Sequence, residues 1–198
     1  MEATEKIKYF MNEIAYILNP AIRGLAIKAV GSLPDYFFIV PASSTGKYHP
    51  AYSLGDGGLA RHTRAAVRIA MDLVRMDEYK FTSDEIDLAV AALLVHDGWK
   101  SGVVQETFSR ADHPKVAALE LQKNSDLNTI VSAEQFDIFL RLVARHMGQW
   151  NKDYKTGQEL MNKPETPLEK FVHLCDYLAS RKCLTMDFDI EVTRELYR

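Results

Sequence analysis

Cysteine is nearly absent from this chain: Cys175 and Cys183 are the only two in 198 residues. Two are too few for a disulfide framework, and they do not have the CxxC spacing of a metal-ligand pair, so both are expected as reduced thiols. Long apolar runs are missing as well. No stretch approaches the roughly 20 residues that a membrane span needs, and the opening MEATEKIKYF is too charged for a secretory signal. Charge of one sign does not dominate either; a formal net charge of −3 gives no bulk attraction to nucleic acid. Internal repeats, low-complexity tracts and linkers are lacking too. What remains is ordinary globular composition, 47% hydrophobic and 26% charged, at a length where one domain with its own core is expected. These absences predict a cytoplasmic chain with no membrane partner.

Histidine is the residue whose placement carries information. Four of the six histidines fall into one ordered series with two aspartates: His62, the pair His96-Asp97, His113, His146 and finally Asp176. Neutral imidazole and ionised carboxylate are the ligands that borderline and hard divalent metals prefer. The series therefore points to metal binding and metal-assisted hydrolysis.

Helical periodicity runs through almost the whole chain. Ala3 to Leu18 places Ile7, Phe10, Met11, Ile14 and Leu18 on one stripe, ended by Asn19-Pro20. Ala21 to Leu33 is helical in composition, though Gly24 and Gly31 interrupt it. The run Tyr36 to Val40 favours β structure, but Pro41 closes it, which predicts a short extended piece. Pro41 to Asp56 reads as an ordered loop. Gly57 opens a long helix through Met76, with Leu59, His62, Ala66, Ile69 and Leu73 recurring at three and four. Ser83 is expected to cap the next helix, which runs directly into His96-Asp97. Pro114 starts a helix over Lys115 to Asn124. Ser132 to Gln135 has capping-box spacing for a helix ending near His146, and Pro167 begins a last helix through Arg181. The fold class is all-α, with residues 1–40 as an N-terminal helical segment and 41–198 as one compact helical domain holding a metal site in its core.

Spacing shapes the expected chemistry. Adjacent side chains on a helix point about 100° apart, so His96 and Asp97 serve one site only where the helix end bends. Gly98 permits that stop. His62 lies on an apolar stripe and Asp176 lies between Leu174 and Leu178; a carboxylate there is costly unless paired or metal-bound. His62, His96, Asp97 and Asp176 would fill most of one metal's shell. His113 and His146 would supply a second metal bridged by Asp97, and two ions roughly 3.5–4 Å apart can clamp a phosphate. The plainer reading of His173 is a hydrogen-bonded core residue, although three residues before Asp176 it could also orient that carboxylate. His49, before Pro50, reads as a solvated loop residue. The pair Gly57-Gly58 reads as helix entry, and Lys100 as a lysine at the mouth of the site.

The order H…HD…H…H…D resembles that of the HD-domain superfamily of metal-dependent phosphohydrolases, an all-α fold, across residues 41–182. Tyr48-His49-Pro50, Gly57-Gly58-Leu59 and His62-Thr63 are similar to the HHxxxGGLxxHT segment of bacterial 3′–5′ exoribonucleases with HD domains, except that Tyr48 replaces the first histidine and the loop is longer. His96-Asp97-Gly98-Trp99-Lys100 is similar to the HDIGK form, with its glycine moved by one place. The resemblance implies His62, His96, Asp97, His113, His146 and Asp176 as metal ligands. It also implies a phosphodiesterase when the two added histidines are present, a mononuclear nucleotidase or triphosphohydrolase without them, and di-iron oxygenase chemistry in a divergent branch. A non-catalytic HD protein that binds a nucleotide is a further alternative.

Substrate expectations are narrower. Arg61, Arg64, Lys100, Arg110, Lys115 and Arg145 gather near the motifs, which in a net negative chain suggests a local anion site. Tyr48, Tyr52, Trp99 and Trp150 flank the ligands and could stack a base or pack in the core. The expectation is a dinuclear phosphodiesterase using Mn, Fe, Co or Ni rather than Mg, acting on a nucleotide or a short oligonucleotide end. Asp97 would bridge the metals, while Lys100 and Arg145 would meet phosphate oxygens. The oligomeric state stays open.

Overall fold

Asn19 accepts the backbone N–H groups of Ala21 and Ile22, and Pro20 occupies the first helical turn behind it. This cap divides the N-terminal region from the rest of the bundle. The computed structural model describes residues 1–47 and 49–188. Among these the helices are α1 (Ala3–Tyr9), α2 (Met11–Ile14), α3 (Pro20–Gly31), α4 (Gly58–Leu73), α5 (Ser83–Leu93), α6 (His113–Lys123), α7 (Ala133–Ala144) and α8 (Pro167–Ala179). No strand occurs among the described residues; a single antiparallel bridge joins Lys152 to Glu159. The fold is all-α. No helix among the described residues is long and apolar enough to cross a membrane.

α5 is the central element, packing against α3, α4, α7 and α8. Leu88 through Val95 are all buried, so this helix is apolar around nearly its whole circumference. α4 lies along α8, and α6 packs outside on α7. Reciprocal capping boxes fix three helix starts: Thr82 with Glu85 for α5, Ser132 with Gln135 for α7, and Thr166 with Glu169 for α8. The cap of α5 is therefore Thr82, one residue before the expected Ser83.

Polar tethers tie the N-terminal helices to the bundle. The buried Asp87 carboxylate on α5 accepts the backbone N–H groups of Leu18 and Asn19 at 2.8 and 2.6 Å. Buried Glu13 pairs with Arg64 of α4 at 2.9 Å.

Two expectations fail here for stated reasons. The stripe from Ala3 to Leu18 is not one helix, because the chain breaks at Phe10, which has φ −105° and ψ 15°. The break turns Phe10, Ile14 and Ile17 into the core and leaves Met11 and Leu18 each 50% exposed. Nor is Tyr36 to Val40 extended. Asp35–Phe38 forms a 3₁₀ turn, since Tyr36, Phe37 and Phe38 are all buried and a half-buried strand would bury only alternate residues. Phe10 meets both Phe37 and Phe38 with ring centroids 6.1 and 5.9 Å apart.

Candidate metal centre

The loop before α4 closes over the site because of two glycines. Gly57 takes φ +71°, and a Cβ on Gly58 would fall 2.2 Å from the Ser53 carbonyl oxygen. Only hydrogen fits there, so the loop packs on the start of α4. Backbone bonds from Gly57 to Ile39, Leu59 to Val40 and Ala42 to Ser53 fasten it. The Gly57-Gly58 pair does more than permit helix entry. It brings His49 against α4, with its ring centroid 5.6 Å from that of His62. Burial, helped by the charge of Lys100, lowers the His49 pKa to about 3. His49 is not the solvated loop residue that its position suggested.

Each ligand candidate has a structural origin. His62 projects from the second turn of α4 and Asp176 from α8. His96 and Asp97 follow the end of α5, which stops at Leu93 and continues as turns rather than helix. His113 is the first residue of α6, and His146 lies just beyond the end of α7. Three of the histidines share one anchor. Nδ1 lies 2.7 Å from the carbonyl oxygen three residues earlier: Leu93 for His96, Arg110 for His113 and Val143 for His146. A carbonyl only accepts, so Nδ1 carries the hydrogen and Nε2 of the neutral ring presents its lone pair inward. This is the arrangement that orients a metal-ligating imidazole.

The inward atoms form two groups that share Asp97. In the first, His62 Nε2 lies 2.9 Å from Asp176 Oδ1 and 3.7 Å from Asp97 Oδ2, and His96 Nε2 lies 3.6 Å from Asp97 Oδ2. In the second, Asp97 Oδ1 lies 2.9 Å from His113 Nε2 and 3.6 Å from His146 Nε2. His96 Nε2 and Asp97 Oδ1 are buried without a hydrogen-bond partner. Converging acceptors that lack donors fit a cation, and these residue types fit a divalent metal. Without a cation the same atoms share protons instead. Burial pushes the Asp97 carboxyl up, but Lys100, His96, His113 and His146 outweigh it and hold the group well below its ordinary value. Asp176 is likewise pushed up by burial and held well below its usual range by His62 and His96. Burial disfavours a charged His96, yet Asp97 and Asp176 overcome it and raise its pKa. His146 is lowered to about 4, chiefly by burial.

A cavity of about 620 Å³ opens onto the cluster, reaching His49, Asp97, Lys100, His113, Trp150 and Asp176. A comparable cavity of about 660 Å³, lined by Tyr79, Phe81, Arg141 and Phe171, touches none of the cluster.

The structure brings together all six residues of the series. Lys100 joins them, its Nζ 2.6 Å from Asp97 Oδ2. Arg145 does not. Its guanidinium pairs with Glu165 and Glu169, each at 3.0 Å, and faces a separate cavity shared with Lys115. The other basic residues also disperse. Arg61 donates to the carbonyls of Tyr52, Leu54 and Asp56, Arg64 pairs with Glu13, and only Lys100 and Arg110 of the expected cluster line the site cavity. Trp99 is core and Tyr52 bonds the Ala179 carbonyl, whereas Trp150 is 44% exposed at the cavity wall. Tyr48 lies outside the described residues. His173 donates Nδ1–H to the His146 carbonyl at 2.7 Å, so it supports the backbone of one ligand candidate rather than the Asp176 carboxylate.

Sequence reasoning missed Tyr177 and Arg181, both at the cavity. Their i, i+4 spacing, starting directly after Asp176, was the available signal.

No curated protein and no solved structure matches the chain. The HD domain matches residues 59–181, which contain all six residues of the cluster and more than half of the sequence. The chain therefore belongs to the HD-domain family, within a superfamily of metal-dependent phosphohydrolases.

Proposed function

We propose that the chain is a dinuclear phosphodiesterase acting on a nucleotide-sized phosphoester. The observation that carries this reading is the division of Asp97: Oδ2 faces His62 and His96, while Oδ1 faces His113 and His146. A carboxylate with one oxygen in each group of imidazoles is placed to hold two ions. His62, His96 and Asp176 would complete the first set, and His113 with His146 the second. So many imidazoles favour Mn, Fe, Co or Ni over Mg. Bound there, divalent ions would polarise a phosphoryl oxygen and supply an activated water near neutral pH.

The chain's own residues supply the rest. Carbonyl anchors on three imidazoles keep their lone pairs directed inward before anything binds. Lys100, held over Asp97 at the cavity, is placed to meet a phosphate oxygen and offset its growing charge. His49, kept neutral by its surroundings, adds no positive charge beside the ligands.

The test is metal analysis of protein reconstituted with Mn or Fe, with turnover of bis-p-nitrophenyl phosphate measured in parallel. The expected result is two ions per chain and metal-dependent cleavage. A single ion with full activity would select the mononuclear reading. An oxygen-dependent product from the reduced iron form, with no ester cleaved, would select the oxygenase branch.

A further inference from the structure

We propose that Trp150, backed by Tyr177 and Arg181, is a base-stacking subsite, so that the phosphoester taken by this centre carries a nucleobase. The inference rests on the phosphohydrolase reading for the fate of the phosphate but on separate residues for the base. Trp150 and Tyr177 lie nearly parallel, with ring centroids 5.4 Å apart and planes 12° from each other. The Arg181 guanidinium carbon lies 4.2 Å from the Tyr177 centroid. All three line the cavity that reaches Asp97 and Asp176.

Two features separate this aromatic wall from ordinary packing. Trp150 is 44% exposed although it belongs to the stack, whereas Trp99 is buried. An indole stacked on Tyr177 and part-exposed in the cavity lining is a platform for a planar ring. The charge is also specific. Lys100 is paired with Asp97, and Arg110 with Glu106 and Asp112. Arg181 instead donates to the Tyr177 carbonyl and the Ser180 hydroxyl, both neutral. Among the described residues no carboxylate pairs with it, so its charge remains for an anionic ligand. A planar platform with a guanidinium that meets no carboxylate among the described residues, continuous with a proposed phosphate site, matches a nucleotide better than it matches a sugar phosphate or a lipid head group.

The two tryptophans make the test direct. AMP added to the purified chain should quench the emission of exposed Trp150 in a saturable way, leaving that of buried Trp99. Ribose 5-phosphate, which lacks only the base, should quench nothing and, with both ligands and all variants titrated by calorimetry, bind at least about tenfold more weakly, as expected for one stacked base. Trp150→Leu should abolish the AMP signal and the tenfold difference, whereas Trp150→Phe should keep much of that difference. The Trp99 emission reports whether each variant is folded. Equal binding of AMP and ribose 5-phosphate by the wild-type chain, or an unchanged difference in Trp150→Leu, overturns the subsite. Cleavage of bis-p-nitrophenyl phosphate separates the two readings. Base-dependent binding without cleavage by any metal form sinks the hydrolase and leaves the subsite standing, and cleavage without base-dependent binding does the reverse.

Discussion

Nε2 of His113 lies 3.2 Å from Nε2 of His146, although each ring donates its Nδ1 hydrogen to a backbone carbonyl. In their neutral forms these nitrogens are both acceptors, and Asp97 Oδ1 is a third acceptor within 3.6 Å. Such a contact is unfavourable unless a proton or a metal cation lies among the three. The fold thus stores a site for positive charge, and the backbone anchors prevent the rings from rotating away.

His113→Ala and His146→Ala should each lower the metal content from about two ions toward one while leaving the fold intact. Asp97→Ala, which removes an oxygen from both groups, should lose both ions and all turnover. Metal analysis beside circular dichroism checks this. Two ions retained in both histidine variants would refute the assignment of the second group.

Lys100 and Arg145 should behave oppositely. Lys100→Ala should reduce turnover at least tenfold without releasing metal, because an ammonium is not a ligand. Arg145→Ala should leave turnover near wild type and lower the melting temperature, since Arg145 is tied to Glu165 and Glu169 outside the cavity. Steady-state kinetics and thermal melts on both variants decide the point.

Gly148 takes φ +59°, and a Cβ there would fall 2.3 Å from the His173 ring. Gly148→Ala should therefore destabilise the protein by about 2 kcal/mol or more, from left-handed backbone strain and the clash together. His173→Ala alone should keep most metal, because its bond goes to the His146 carbonyl rather than to the ions. Combined with Gly148→Ala it should relieve part of the loss, and a double-mutant cycle on denaturant midpoints measures that coupling.

Glu169 gives a pH prediction. Burial pushes its carboxyl up, but the backbone N–H groups of Glu165 and Thr166 and the charge of Arg145 hold it below the ordinary value of 4.5. A depressed carboxyl contributes stability that is fully present above its unfolded value. That contribution is lost as pH falls below 4.5 through the folded value. Glu169→Gln should cost about 1–3 kcal/mol at pH 7, and the gap from wild type should narrow steadily as the pH is lowered beneath 4.5. A gap that stays constant down to acid unfolding would show that the charge is not what matters.

The sequence by itself determined the helical class and the ordered series of candidate ligands. Period-three-and-four spacing in α4, the capping box at Ser132, Pro167 at the start of α8, and the order from His62 to Asp176 are local or one-dimensional signals that survive without a fold. Consecutive burial of Tyr36, Phe37 and Phe38 was not legible, because it depends on Phe10 arriving from another segment. The roles of the cations were not legible either. Arg145 is near His146 in sequence, yet it points to Glu165 and Glu169, while Arg181 and Trp150, separated in the chain, meet Tyr177 at one wall. His49 reaches the site through a loop that packs on α4 where Gly58 lets the Ser53 carbonyl approach. Ligand type is set by side-chain chemistry, which the sequence states outright. The direction of a long flexible side chain is set by which opposite charge or ring the tertiary packing brings within reach, and only the folded chain decides that.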